Sequence, residues 1–438
     1  MEKDWIDKRN FKCYTYIVSY KCVRHSPIVS AFVIHFDVHT KAAAPSGGRF
    51  CFTEEPMENF DYLIVGAGLF GAVFAYCMEE AGHHCLVIDS RNHFGGNCYT
   101  EEVDGITVHK YGAHIFNTSN LQVWNFIKRF SDILPFVNSP IAIYKDEVYN
   151  LPFNMNTFSK IWNVRTPDEA KAVIESQRLI TDDPRNLAEK AKTLVGQDIY
   201  EKLIKGYTEK QWGKPCDELP PDLINRLPVR FTYDNNYFNS DYQGIPEHGY
   251  TLIFQKLLRR SKVKLRTNYD HFGWTSFRTS RPSMKIVYTG PLDKLYSECY
   301  GALDYRSLRF EEKWFDCDNV QGNAVVNYTS SEVPYTRSIE HKHFTHTQSV
   351  RSVVTYEYPE QYKQGTIPYY PVRNERSLAL YRKYRDKAKS DGYIIGGSMG
   401  LYLDMNMEET IFAAINAAKK ELGGHQFEEI SAGRGSPR

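Results

Sequence analysis

Residues 57–80 read MENFDYLIVGAGLFGAVFAYCMEE. Asp61 to Val65 is a short apolar run, as expected of a buried parallel strand, and it passes directly into Gly66-Ala67-Gly68-Leu69-Phe70-Gly71. In a G-x-G-x-x-G turn the first glycine permits the tight bend and the second lets backbone approach a pyrophosphate. The third lets helix and strand pack closely. Helical spacing follows at Val73, Tyr76 and Cys77, and Gly82 is placed as a stop. A second apolar run, Cys85 to Ile88, ends at Asp89, an acid placed to bind a ribose hydroxyl. A glycine-rich turn alone is common. Strand, turn, helix, strand and terminal acid in agreement predict a dinucleotide site.

The chain around this unit has 438 residues, enough for two or three domains. Lys+Arg (54) nearly equals Asp+Glu (53), so no global field recruits nucleic acid or an anionic membrane. Nine cysteines, at 13, 22, 51, 77, 85, 98, 216, 299 and 317, show no metal spacing and read as reduced thiols of a cytoplasmic protein. No apolar stretch approaches the roughly 18 to 20 residues of a membrane span. Ile28 to Phe36 comes nearest, is short and carries His35. Residues 1–56 hold no sustained period and end in a Pro/Gly/Ser/Ala-rich stretch, so they read as an appended leader with Met57 as the natural start. The tail 426–438 reads as disordered.

Beyond the second strand, Arg91 to Asn97 carries Gly95 and Gly96, a second place for backbone to meet a ligand. His109 to Asn120 is polar and aromatic, a loop or strand edge beside a site. Helical spacing dominates from about 156 to 228, alternation from about 304 to 356, and a strand and helix close the chain, with Asn406 as N-cap, Glu409 three residues on and Gly423 as stop. The fold class predicted is α/β: a discontinuous Rossmann-type domain (57–135 with about 245–300 and 385–425). A helical domain (about 152–228) and an antiparallel sheet domain (about 136–151, 229–244 and 301–384) are inserted in it. A nicotinamide enzyme would continue with regular strand–helix alternation. This pattern instead suits an FAD-binding oxidoreductase fold.

The resemblance becomes specific along the chain. GAGLFGA (66–72), SRNHFGGN (90–97), HKYGAHIF (109–116), YNLPFNMNTFSK (149–160), GYTEKQWG (206–213), INRLPVR (224–230), DNNYFNSDYQGIPEHGYT (234–251), YTGPLD (288–293), YRSLRF (305–310), RSIEHKHF (337–344), YYPV (369–372) and LYLDM (401–405) stand in the order seen in the bacterial UDP-galactopyranose mutase family. The resemblance spans about 57–422. It implies interconversion of UDP-galactopyranose and UDP-galactofuranose without net redox change, with reduced FAD attacking the anomeric carbon through N5 and displacing UDP. It also implies a cytoplasmic homodimer that supplies galactofuranose for cell-surface polysaccharide. Catalysis of this kind leaves binding, orientation and electrostatics to the protein.

The family's motifs carry roles onto this chain residue by residue. Arg226 and Arg337 match two pyrophosphate-binding arginines, whose planar forks suit phosphate oxygens. The plain alternative for each is a surface ion pair, worth ~0–1 kcal/mol. Tyr237, Tyr370 and Tyr402 match tyrosines whose hydroxyls bind phosphate, the alternative for Tyr402 being a core tyrosine. Tyr207 matches the ring that stacks on uracil, Trp212 the tryptophan of a mobile lid, and Asn236 accompanies them on the substrate side. On the cofactor side stand Gly66, Gly68, Leu69, Phe70, Gly71, Asp89, Arg91, Gly95, Gly96, Asn97 and His109. Asp404 and Met405 belong there too, before a helix whose positive end favours the anionic reduced flavin. His114 matches a histidine near the isoalloxazine.

The match also breaks. Asn117 stands where the family usually has histidine, and Leu203 and Ile204 replace a pair often aromatic beside the uridine. Ser398 replaces an arginine that approaches flavin and diphosphate, and two residues are missing before Tyr402. Losing one charge-assisted contact in a closed site costs about 2–4 kcal/mol, so reduced turnover is expected. Two alternatives stay open: a degenerate UDP-sugar-binding flavoprotein without turnover, and a redox amine-oxidase-like flavoenzyme with an apolar pocket.

Overall fold

In the computed structural model, which describes residues 59–224, 228–269 and 283–423, the opening run forms the strand Tyr62–Val65. The expected leader, Arg226 and the tail lie outside the described residues. Tyr62–Val65 is central in a five-stranded, all-parallel sheet ordered Lys262–Lys264, Cys85–Ile88, Tyr62–Val65, Lys285–Tyr288, Tyr393–Ile395. Its side chains alternate between two cores, as a period of two requires. Ile64, Val87 and Val287 pack against the helices Leu69–Glu80, Gly249–Leu257 and Met407–Leu422. Leu63, Leu86 and Ile286 pack on the other face against Leu292, Tyr384 and Ala388. Both faces are covered, which explains why the strands read as continuous apolar runs.

The Leu69–Glu80 helix is not amphipathic, as its spacing suggested. Every residue from Phe70 to Glu79 is buried, because the helix lies between the sheet and Met407–Leu422. The last helix starts at a capping box between Asn406 and Glu409, and Gly423 closes it at φ +71°.

A second sheet of seven strands runs Pro368–Pro371, Tyr305–Phe315, Ser352–Gln361, Arg337–Glu340, Val325–Tyr328, Ile141–Tyr144, Glu147–Asn150. Its pairs are antiparallel except Val325–Tyr328 with Ile141–Tyr144, which is parallel. Helices Met155–Trp162, Pro167–Gln177 and Leu187–Ile199 share a core of Phe158, Ile174, Leu187, Val195 and Ile199 with Ala142 and Tyr149 of the sheet edge. The expected helical run up to Trp212 is broken twice. Gly196 leaves helical geometry at φ +80°, and Tyr200–Lys205 is a π-helical turn before the helix Gly206–Trp212. Such a turn shifts the helix phase and commonly marks functional sites.

Candidate active site

A cleft of about 1080 Å³ is lined from both sheets and from the helical segment. Its first wall is the C-terminal end of the parallel strands, where open α/β sheets bind ligands. Gly66 turns at φ +107°, and a Cβ there would lie 2.0 Å from Thr289 Oγ1, which donates to Val65 O. Gly68 and Gly96 meet backbone to backbone, a Cβ on Gly96 falling 3.1 Å from Gly68 Cα. Asp89 accepts from Ala67 N at 2.8 Å and from Arg91 N at 2.9 Å, tying the two glycine turns together. A carboxylate has lone pairs left after two such bonds, and Asp89 lines the cleft. Arg91 donates to Asn97 Oδ1 at 2.9 Å and lies over the Tyr111 ring, yet its Nη1 is buried without a partner. An orphaned guanidinium nitrogen beside a side-chain-free cradle fits the pyrophosphate of a dinucleotide.

Leu69, Phe70, Gly71, Gly95, Asp404 and Met405 line the same cleft, with Asn406, Met407 and Thr410 bringing the start of the last helix to it. The positive end of that helix dipole therefore faces the ligand space. His114 lines the cleft where this wall meets the second sheet, and its Nδ1 lies 2.8 Å from Gly112 O. That contact requires the proton on Nδ1 and leaves Nε2 a lone pair. Burial pushes its pKa down, the Gly112 contact opposes this, and the Arg337 charge pushes it down further. His114 thus offers a neutral acceptor.

The opposite wall comes from the seven-stranded sheet and the Gly206–Trp212 helix. Arg337 donates from Nη2 to the Tyr207 hydroxyl at 3.1 Å, and its Nε is buried with no partner. Burial works against its charge, but Glu357, then Tyr207 and Tyr370, hold its pKa well above the usual value. Tyr237 lines the cleft with its backbone held by Asn138 O, and Tyr370 lies beside Trp212, ring centroids 6.2 Å apart. Leu203, Ile204, Ser398 and Asn117 also line it.

Three expected residues are elsewhere. Tyr402 is a core tyrosine, 1% exposed: its ring stacks on Tyr381 and meets Tyr305 edge-on, and its hydroxyl lies 2.7 Å and 2.9 Å from the carbonyls of Asp304 and Val372. Its only proton is used there, so it binds no phosphate. His109 does not line the cleft but supports it, its Nδ1 accepting from His114 N at 3.2 Å while its ring stacks on Phe344. Asn236 turns its Oδ1 to Phe238 N and Gln243 Nε2, outside the cleft. Sequence reading missed Gln211, Asn327, Glu357 and Tyr369, each of which lines the cleft with a buried oxygen that has no hydrogen-bond partner. With Arg91 and Arg337 they are buried polar groups of the cleft lining that a polar ligand would satisfy. Among the described residues no group of His, Cys, Asp or Glu could hold a metal ion, and all six described cysteines are free.

Fold and site together define a dinucleotide-cofactor protein whose second wall carries a buried arginine with an unpartnered nitrogen. A family model described as UDP-galactopyranose mutase matches residues 202–403, and one described as an NAD(P)-binding Rossmann-like domain matches residues 64–130. A probable UDP-galactopyranose mutase of Klebsiella pneumoniae is 38% identical, covering 84% of this chain and 96% of its own. A dTDP-fucopyranose mutase of Escherichia coli is also 38% identical, covering 82% and 97%. A solved structure of reduced UDP-galactopyranose mutase superposes with a TM-score of 0.63 at 14% identity, over 86% of this chain and 99% of that one. A putative protoporphyrinogen oxidase from Exiguobacterium reaches 0.58 at 12% identity, over the same shares, so fold alone does not separate isomerase from oxidase. The chain belongs to the UDP-galactopyranose mutase family. As a member it is an isomerase whose cofactor is FAD.

Among the described residues no helix is long and apolar enough to cross a membrane.

Proposed function

We propose that this chain interconverts UDP-galactopyranose and UDP-galactofuranose, and that it does so as a cytoplasmic homodimer supplying galactofuranose for cell-surface polysaccharide. The observation that carries the reading is Arg337, a buried guanidinium kept charged, with an unpartnered nitrogen in the cleft. A redox enzyme acting on an apolar substrate has no use for it, whereas a leaving diphosphate requires it.

Bound and reduced, FAD supplies the nucleophile at the anomeric carbon. Gly66, Gly68 and Gly96, with Arg91, would hold its pyrophosphate, and the last helix would lend its positive end to the reduced ring. Arg337 holds the diphosphate before and after it departs, so that UDP stays in place to recapture the sugar. The Tyr207 hydroxyl fixes the guanidinium plane while its ring offers a stacking face for the base. Leu187, Leu203, Ile204 and Ile224 close the space around that ring with apolar surface. Tyr237 and Tyr370 present hydroxyls to the same space, and burial keeps both protonated, hence donors.

Leu203 and Ile204 also favour a second reading. An aliphatic wall gives no polar contact that would reject a 5-methyl pyrimidine, and one relative of equal identity is a dTDP-fucopyranose mutase. The deciding experiment offers UDP-galactofuranose and dTDP-fucofuranose to the dithionite-reduced holoprotein, each beside an oxidised control, with products resolved by chromatography. Conversion of the uridine sugar only after reduction supports the first reading. Conversion of only the deoxythymidine sugar supports the second. UDP bound without conversion of either would return the chain to a degenerate binding protein.

A further inference from the structure

We infer that Lys210 is a positioning residue: by docking the Gly206–Trp212 helix on the turn between Val325–Tyr328 and Arg337–Glu340, it fixes Tyr207, Gln211 and Trp212 opposite Arg337. Lys210 does not line the cleft. It donates to four carbonyls of that turn, those of Tyr328, Ser330, Val333 and Tyr335, at 2.8, 2.8, 2.9 and 3.0 Å. Three protons serve four acceptors, so every N–H of the ammonium is engaged by a single loop. A carbonyl nest of this kind orients without neutralising, and a lysine chosen only for surface charge would find a carboxylate instead.

Two further features act on the same helix. At its start, Gly206 touches the same turn, a Cβ there falling 2.3 Å from Thr329 O and 3.1 Å from Ser331 N. At its end, Arg306 donates from Nε to Gln211 O at 2.9 Å and from Nη2 to Lys210 O at 3.2 Å, covering carbonyls the helix leaves unpaired. Between these fixed points, Tyr207, Gln211 and Trp212 line the cleft. The docked turn leads directly into Arg337, whose Nη2 returns to the Tyr207 hydroxyl. Lys210 therefore closes a loop of contacts whose other end is the anion-binding guanidinium.

This inference rests on the cleft binding a nucleoside diphosphate. The test measures UDP affinity, flavin content, and kcat and KM of the reduced holoprotein for wild type, Lys210→Met and Gly206→Ala. Expected is wild-type flavin content in both variants with UDP affinity weakened about tenfold and KM raised in parallel, kcat changing less. Gly206→Ala keeps the lysine and lifts the helix from its other end, so a shared effect assigns the cause to docking. Unchanged UDP affinity in either variant, or flavin lost in step with UDP affinity, would overturn the inference. Failure of wild type itself to bind UDP would instead overturn the proposed function.

Discussion

Arg337 and Glu357 stand directly opposite each other in the antiparallel pairing of Arg337–Glu340 with Ser352–Gln361. Both line the cleft, and Arg337 Nε and Glu357 Oε1 are each buried without a hydrogen-bond partner. The carboxylate keeps the guanidinium charged without satisfying it, which leaves the fork available to a diphosphate. Arg337→Lys, a point charge in place of a fork, is expected to keep full flavin content and to weaken UDP binding by about 2–3 kcal/mol. Calorimetric titration with UDP measures this, and an affinity within twofold of wild type would remove Arg337 from the anion site.

Gly66 makes the cofactor wall testable without any substrate. Alanine there combines φ +107° with a Cβ 2.0 Å from Thr289 Oγ1, so the bond from Thr289 to Val65 O must break. Gly66→Ala is expected to emerge folded but with most of its flavin lost. The absorbance ratio of flavin to protein reads this directly.

Tyr402→Phe separates the core from the site. The change strands the carbonyls of Asp304 and Val372 and is expected to cost about 1–3 kcal/mol of stability. UDP affinity should stay at the wild-type value. A raised KM with unchanged melting temperature would put Tyr402 back among the phosphate ligands.

Acid should unfold the second sheet from within. Burial, helped by Lys110, pushes the His341 pKa from 6.5 down to about 3, Glu340 opposing. For Glu340 burial pushes upward, but His343, Ser352 and backbone donors win and hold it at about 2 against 4.5. In both cases the unfolded chain takes up the proton first, so stability is full above the unfolded pKa and is lost as pH falls toward the folded one. The melting temperature should decline from about pH 6.5 downward and more steeply below 4.5. Glu340→Gln should flatten the lower limb alone.

Ser398 tests the missing arginine. It lines the cleft on the short helix Gly397–Leu401, where the family resemblance calls for a guanidinium. Ser398→Arg is expected to raise kcat/KM about tenfold or more, one restored charge-assisted contact. No gain at intact flavin content would mean that the shortened turn cannot aim the side chain at the diphosphate.

The cofactor wall was legible because its signals are local. A strand, two glycine turns and Asp89 lie within a few dozen residues, and at Gly66 and Gly71 a Cβ would fall 2.0 Å from a neighbouring oxygen. Arg337, Tyr207, Tyr237 and Tyr370 were legible through motif, and the cleft brings them together. Glu357, Asn327 and Tyr369 were not, since a polar residue in an alternating strand faces solvent or ligand according to strand order, which no local window contains. Tyr402 misled for a backbone reason. It caps Gly397–Leu401 at φ +53°, which turns its ring between Tyr381 and Tyr305. Gly196 and the π-helical turn escaped because apolar spacing runs through both breaks.

The parallel sheet takes its central strand from residues 62–65 and an edge strand from residues 393–395, and the helix that buries Leu69–Glu80 begins at Met407. The first helix of the flavin wall is therefore synthesised long before the helix that packs on it. Until then Leu69–Glu80 lacks the helix with which it packs most extensively. A chain cut before Met407 would lack that packing partner, so the flavin wall is completed only once the last helix has docked.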